Sequence, residues 1–137
     1  MTTRKSHKRR GSKFEIDLTH HFRDLGYPAE RLPRTGRNDE GDVAVPVYDE
    51  HVHVIEAKAP GAGNAIDLSG WLREAETEAA NYAAARGLNP DEVTPVVVIK
   101  ARGKSLNQAY VVKRFTDEYE TWPTDQLLER LANDGED

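Results

Sequence analysis

Residues 41–58 read GDVAVPVYDEHVHVIEAK and predict a β-hairpin. One strand runs from Gly41 to Tyr48 and the next from His51 to Lys58, because both segments are rich in β-branched residues and flank a tight turn at residues 49–50. Pro46 has no N–H to give to a strand ladder, which indicates a sheet edge or a bulge at that position.

The hairpin brings three charged residues to one end of the sheet. Glu56 and Lys58 are two positions apart on one strand and therefore share a face. Asp42 begins the preceding strand, and because the two strands are antiparallel it lies beside the end of the second. Two carboxylates can hold a hard divalent cation that activates water against a phosphodiester, and a lysine can help to position or deprotonate that water. A surface salt bridge among the same residues is the alternative.

A helix is predicted before the hairpin, from Lys13 to about Leu25, because apolar residues recur there at steps of three and four. Ser12 can cap its start, and Glu15 follows at the spacing of a capping box. Gly26 can end the helix in the left-handed conformation.

The elements after the hairpin complete an α/β pattern. A long helix is predicted over residues 68–86, between Asp67 and Gly87, and strands are predicted over residues 94–100 and 109–115. A last helix is predicted over residues 124–132. With a short strand near residue 30, the order is α-β-β-β-α-β-β-α, which indicates an α/β fold with a mixed β-sheet flanked by helices. We expect a disordered basic arm (1–12), a single domain (13–132) and an acidic tail (133–137).

The composition excludes several classes of protein. The chain has 137 residues, enough for a single domain, and no cysteine, which excludes a disulfide scaffold and a cysteine-type zinc site. No apolar run approaches the roughly 20 residues that span a bilayer, and the basic start lacks the apolar stretch of a signal peptide. We therefore expect a cytoplasmic protein, in the host cytoplasm if its source is viral, with no membrane association.

Charge is distributed unevenly along the chain. The net charge is −5, but residues 1–13 hold six basic residues and no acidic one, which leaves 13 basic and 24 acidic residues, a net of −11, in the remainder. The basic arm can contact DNA phosphates or can simply be a solvated end of the chain. Its basic residues are Arg4, Lys5, Lys8, Arg9, Arg10 and Lys13. Three further arginines flank the predicted site and suit phosphate contacts: Arg31, Arg34 and Arg37.

Five short segments in order carry a resemblance to a known family. They are GSKFE (11–15), GY (26–27), RLPRTG (31–36), GDVA (41–44) and VIEAK (54–58). Together they resemble the PD-(D/E)xK nuclease superfamily, and more closely the archaeal-type (Hjc-like) Holliday junction resolvases and their phage relatives. In the first segment Glu15 corresponds to the glutamate on the family's first helix, and Gly41 replaces the proline of the superfamily's motif.

The resemblance implies a fold, an activity and a set of site residues. The fold is restriction-endonuclease-like, and the activity is Mg²⁺-dependent cleavage of branched DNA, above all the four-way junction, by a homodimer in DNA recombination, replication or repair. Mn²⁺ is the alternative cofactor. Asp42 and Glu56 are the implied metal ligands, with Glu15 joining them directly or through water. Lys58 is the implied catalytic lysine, and Thr35 stands where the family often has a serine near the scissile phosphate.

Several alternatives remain open at this point. A nuclease of the same superfamily that acts less specifically on linear or flapped DNA fits the same residues, as does a non-catalytic module that binds nucleic acid or protein. Glu15 is either a metal-site residue or part of its own helix cap. Glu78 and Tyr82 match the Gln-x-x-x-Tyr element of RecB-like relatives only weakly, and Tyr82 is expected to be a core residue. His51 and His53 are expected to face away from the site, because they alternate out of phase with Glu56.

Overall fold

Two helices enclose a six-stranded sheet in the computed structural model of the protein, which describes residues 4–34, 36–48, 50–61, 65–115 and 118–123. The strands lie in chain order across the sheet; β3 and β4 are parallel, and every other adjacent pair is antiparallel. The strands are β1 (Glu30–Arg31), β2 (Val43–Tyr48), β3 (His51–Lys58), β4 (Val93–Ile99), β5 (Tyr110–Phe115) and β6 (Glu118–Pro123). The helices are α1 (Arg4–Asp24) and α2 (Leu68–Arg86). The predicted α/β fold with a mixed sheet flanked by helices is therefore confirmed.

The hydrophobic core lies on both faces of the sheet because alternate strand residues point to opposite sides. On one face, α1 packs Phe14, Leu18 and Phe22 against strand residues that include Val43 and Ile55. On the other face, the buried side of α2 contributes to two clusters. Ala79 and Tyr82 of α2 belong to the first, with Ala44 and Val54 of the sheet, and Val97 belongs to the second. Tyr82 is thus a core residue, as expected.

The N-terminal helix is longer than the sequence indicated. α1 begins at Arg4, before the predicted start at Lys13, so the basic residues up to Arg10 lie in a helix rather than in a disordered arm. Arginine and lysine are good helix formers, and only Gly11 weakens the run. Ser12 is inside the helix and does not cap its start. The predicted end is confirmed, because Gly26 has φ 98° and the N–H of Tyr27 donates to the carbonyl of Phe22.

The C-terminal part of the sheet also differs from the prediction. β6 pairs antiparallel with β5 over residues 118–123, where no strand was predicted. The segment ends at Pro123, directly before the predicted last helix, and its pairing is decided by the neighbouring strand rather than by local pattern. The predicted last helix (124–132) and the acidic tail lie outside the described residues. Within the described part of the chain, neither helix has the length and apolar character of a membrane span.

The entry to β2 explains why glycine replaces proline in the motif. Gly41 has φ 102°, a backbone conformation that the ring of proline forbids. A Cβ atom at this position would lie 2.6 Å from Cγ1 of Val54. Further along, the register between β2 and β3 shifts between Pro46 and Tyr48, which confirms the predicted irregularity at Pro46.

Candidate active site

The β2–β3 hairpin holds Asp42 beside Glu56. The N–H of Asp42 donates to the carbonyl of Ile55 over 2.9 Å, and Oδ2 of Asp42 accepts the N–H of Ala57 over 2.8 Å. The two partners of Asp42, Ile55 and Ala57, flank Glu56 in the sequence, so Asp42 is fixed beside Glu56. Both carboxylates are 5% exposed. The predicted convergence of Asp42 and Glu56 is therefore present in the structure.

Lys58 is the cation of this group. Its Nζ lies 3.2 Å from Oε1 of Glu56 and 3.2 Å from Oε2 of Glu74 on α2. Burial alone lowers the pKa of Lys58, but the two carboxylates outweigh burial and the net shift is upward. Lys58 is accordingly a protonated donor that can neutralise negative charge beside Glu56. Its Nζ also lies over the ring of Trp71, 5.6 Å from the ring centroid, which is within the range of a cation–π contact.

Glu15 of α1 contacts two arginines, and one of them, Arg34, also reaches Asp42. Glu15 is 4% exposed, and its Oε1 lies 3.7 Å from Nη2 of Arg31. Nη2 of Arg34 lies 3.6 Å from Oε2 of Glu15 and 3.6 Å from Oδ1 of Asp42. Glu15 is in the interior of α1, so its alternative role in a helix cap is wrong. The arginines border an open cleft of about 640 Å³ that is also lined by Ser12 and Glu15.

The carboxylates of the site lie close together and are shielded from solvent, so their ionised forms repel one another. Burial, followed by the charge of Glu56, raises the pKa of Asp42 to about 8. Burial, followed by the neighbouring Glu78, raises the pKa of Glu56 to about 8. Desolvation and like charge both favour the neutral acids, so a bound cation would be strongly stabilised here.

The acidic side chains of the site offer only oxygen atoms as ligands, which suits Mg²⁺ or Mn²⁺. Among the described residues, Oε2 of Glu56 is buried and has no hydrogen-bond partner. A buried carboxylate oxygen without a donor is costly unless a proton or an ion satisfies it. Asp42 and Glu56 supply hard oxygen ligands, and no thiol is present in the chain. The residues therefore fit the divalent ion that the resemblance of the sequence motifs implies.

Two glutamates of α2 lie beside the site although neither was predicted as a site residue. Glu74 was not singled out, and Glu78 was noted only as a weak match to the Gln-x-x-x-Tyr element, yet each places a carboxylate oxygen within 4.8 Å of one from the other and one from Glu56. Their i, i+4 spacing showed that they share a helix face. What was lacking was the position of that face over the end of β3, which only the packing of α2 on the sheet provides.

The other predicted residues are placed less centrally or are not described. Thr35 lies outside the described residues, as do the side chains of Arg4, Lys5, Lys8, Arg9 and Arg10. Lys13 pairs with Asp17 one helical turn away, 2.9 Å from Nζ to Oδ2. Arg37 is exposed in the loop before β2.

The two histidines of β3 are on the sheet face opposite Glu56, as expected from their phase. Nε2 of His51 lies 2.9 Å from Oγ1 of Thr94, and the ring of Tyr48 stacks on His51. His53 is 1% exposed, and among the described residues neither of its ring nitrogens has a hydrogen-bond partner. Burial lowers its pKa to about 3, so this imidazole is neutral.

Comparison with solved structures shows what the fold is similar to. The structure is similar to that of Hjc, a Holliday junction resolvase from the archaeal hyperthermophile Archaeoglobus fulgidus, with a TM-score of 0.50 and 15% sequence identity. The similarity covers 88% of this chain and 93% of the resolvase. No protein-family model and no curated protein sequence matches the chain. The chain thus has the restriction-endonuclease-like fold of a known nuclease.

Proposed function

We propose that the protein is a metal-dependent DNA endonuclease that hydrolyses phosphodiester bonds in branched DNA, as a Holliday junction resolvase. The observation that carries the proposal is the pair of buried carboxylates, Asp42 and Glu56, fixed side by side with Lys58 at 3.2 Å from Glu56. The pair lies on the fold of a resolvase, in the order of residues that the motif requires. A salt bridge alone does not account for a buried carboxylate oxygen that is left unsatisfied.

Each residue of the site then has a role in hydrolysis. Asp42 and Glu56 would hold a Mg²⁺ ion, and Glu15 would add negative charge to the same centre. When bound, the ion supplies Lewis acidity toward the phosphodiester and lowers the pKa of water. Lys58 carries a positive charge beside Glu56, where it can orient the attacking water and offset the charge that develops on the phosphate. Arg31 and Arg34 contact phosphate oxygens at the open cleft.

A four-way junction has near two-fold symmetry, so we propose that the protein acts as a symmetric homodimer with one site for each of two strands. Sedimentation of the free protein and of its junction complex measures the stoichiometry. Two chains per junction are expected, and one chain per junction contradicts the dimer.

The test of function is cleavage of a synthetic four-way junction in Mg²⁺. Wild-type protein should cut it, and Glu56→Gln and Lys58→Met should each lower the rate by at least about 100-fold while the far-ultraviolet spectrum stays unchanged. Glu76→Gln is the matched control, because Glu76 is exposed on α2. Normal cutting by both site variants would show that the site is wrong.

A panel of substrates decides the specificity. Junctions are expected to be cut faster than flaps, linear duplex and single strands. Equal or faster cutting of flaps or duplex would replace the resolvase with a nuclease of broader specificity. Binding of junctions without any cleavage in Mg²⁺ or Mn²⁺ would indicate a non-catalytic module.

A further inference from the structure

The loop that follows β4 emerges beside the proposed catalytic lysine. β3 and β4 are parallel and Lys58 is the register partner of Ile99, so both strands end at the same edge of the sheet. The backbone N–H of Lys100 donates to the carbonyl of Lys58 over 2.9 Å. In open α/β sheets, ligands bind outside the carboxyl ends of the strands. The loop after β4 therefore adjoins the candidate active site, on the side away from β2.

This loop is basic in a chain that is acidic as a whole. Lys100, Arg102 and Lys104 are all exposed, and none of the three forms a salt bridge within the described part of the chain. Residues 93–115 hold five basic residues and no acidic one, whereas the net charge of the chain is −5. The loop is thus a local positive surface that complements the phosphates of a nucleic acid.

An exposed aromatic ring lies along the same edge of the sheet. Tyr110 begins β5 and is the register partner of Ile99, so one row crosses the sheet from Lys58 through Ile99 to Tyr110. Register partners point to the same face of a sheet. Tyr110 is 54% exposed. Because neighbouring strands are about 4.8 Å apart, its backbone is roughly 10 Å from that of Lys58.

A second aromatic ring borders this row from α2. The ring of Trp71 lies 5.6 Å from Nζ of Lys58, and Trp71 packs against the cluster that contains Ile99 and Val112. Val112 is two residues from Tyr110 on β5 and shares its face. Both aromatic residues therefore belong to one side of the sheet. Aromatic rings beside exposed cations suit unpaired nucleotides, because bases stack on the rings while the phosphates follow the positive charges.

We propose that the loop at residues 100–104, Tyr110 and Trp71 form a surface that binds unpaired nucleotides of the DNA next to the cleaved bond. The bases stack on the two rings, and the phosphates contact the basic side chains of the loop. The inference rests on the proposed function, because it assigns part of the same substrate to a surface beside the same site. Paired bases present no free face, so the surface favours the open strands of a branch point over continuous duplex.

The experiment measures binding of a labelled oligothymidine of about 12 nucleotides by fluorescence anisotropy, in chelator so that no cleavage occurs. Tyr110→Ser should weaken binding roughly 5- to 100-fold, the range for loss of one stacked base. Tyr110→Phe keeps the ring and should bind like wild type. Leu25→Ser is the matched control, because Leu25 is a comparably exposed apolar residue (51%) at the end of α1. Binding of a duplex of equal length should change less than about twofold in Tyr110→Ser.

Two further measurements test the loop and the second ring. Replacing Lys100, Arg102 and Lys104 together by serine should weaken strand binding and reduce its dependence on salt. The chain has two tryptophans, so Trp122→Phe leaves Trp71 as the sole tryptophan, and the bound strand should quench its emission. Thermal melting of every variant checks that the chain is folded.

The outcomes separate this inference from the proposed function. Equal affinity of wild type and Tyr110→Ser for the oligothymidine, equal losses in Tyr110→Ser and Tyr110→Phe, or an equal loss on duplex overturns the surface. Sedimentation of Tyr110→Ser as a monomer where wild type is a dimer also overturns it, since Tyr110 then lies between two chains. If Tyr110→Ser does not fold, quenching of Trp71 decides. Strand binding that depends on Tyr110, without junction cleavage in Mg²⁺ or Mn²⁺, supports the surface and overturns the proposed function.

Discussion

The carboxylate of Asp42 accepts the backbone N–H of Ala57, with 2.8 Å between Oδ2 and the nitrogen. One residue of β2 is thus attached to the residue that separates Glu56 from Lys58 on β3. This bond orients the Asp42 carboxylate against the backbone of β3 and so fixes its position beside Glu56. The donor is a backbone N–H that the sheet already holds in place, whereas two long charged side chains must both be ordered before they can interact.

Replacement of Asp42 separates its structural from its chemical role. Asp42→Asn keeps an oxygen that can accept the N–H of Ala57, and it removes a charge from a buried set of acids. We expect unchanged or higher thermal stability, with loss of junction cleavage. Asp42→Ala leaves the N–H of Ala57 without an acceptor and should cost about 1–3 kcal/mol in the free energy of unfolding. Denaturant melts and cleavage assays measure both. Equal stability of the two variants would contradict the structural role.

Metal-free protein should lose stability as the pH rises. The pKa of Asp42 and that of Glu56 are about 8 in the folded chain, above their ordinary values near 4. The folded state therefore binds more protons than the unfolded state between about pH 4 and pH 8, and stability decreases across that range. In chelator, the melting temperature relative to that of Glu56→Gln should fall from about pH 6 to about pH 9. Added Mg²⁺ should reverse the fall, since it binds the ionised carboxylates.

A pH dependence identical in wild type and Glu56→Gln would contradict this prediction. Lys58 and Arg34 are the cations that face these acids, and both stay protonated over the range tested. The difference between the two melting curves therefore reports the carboxyl group of Glu56 and its effect on Asp42.

Arg34 competes with the metal for the same carboxylates. Its guanidinium lies 3.6 Å from oxygens of both Glu15 and Asp42, and its side chain is 75% exposed. Arg34→Ala should tighten Mn²⁺ binding by a few-fold in the absence of DNA, because exposed ion pairs contribute at most about 1 kcal/mol. The same change should weaken junction binding and reduce its salt dependence. Ion titration and DNA binding at two salt concentrations measure the two effects.

Arg37→Ala is the matched control for Arg34. Arg37 belongs to the same loop and is likewise exposed. Arg37→Ala should weaken DNA binding without changing the affinity for Mn²⁺. Equal Mn²⁺ affinity in wild type and Arg34→Ala would exclude competition.

His53 should destabilise the protein in acid. Its pKa is about 3 in the folded chain, below the ordinary value near 6.5, so the unfolded state binds the proton first as the pH falls. Stability should therefore decrease below about pH 6.5. His53→Leu removes the buried ring nitrogens and should raise the free energy of unfolding by about 1–3 kcal/mol. Melts at about pH 7 and about pH 5 measure it, and the gain should be larger at the lower pH. His51→Leu, with less burial, is the comparison.

The sequence predicted the elements that have their own local signals. The bounds of α2 agree because Asp67 accepts the N–H of Gly70 at one end and Gly87 has φ 66° at the other. β3 agrees because its β-branched residues Val52, Val54 and Ile55 follow a tight turn. Local signals failed for α1, whose basic first turns have good helix propensity but no apolar stripe. They also failed for β6, which is defined by its partner strand.

The candidate site likewise contains residues that the sequence predicted and residues that only the structure revealed. The hairpin predicted Asp42, Glu56 and Lys58, because pairing and register follow from the two strands and their turn. Glu74 and Glu78 required the position of α2 over the sheet, a long-range property that no spacing within the helix contains. The link from Glu15 to Asp42 through Arg34 likewise depends on where the loop after β1 lies.

The left-handed backbone at Gly41 limits how this chain can diverge over generations. Because Cγ1 of Val54 occupies the space of any Cβ at position 41, a larger residue there demands a smaller one at 54 as well as a strained backbone. The two positions should therefore vary together in descendants of this sequence. An engineer who restored the motif's usual proline would displace the carboxylate that follows it.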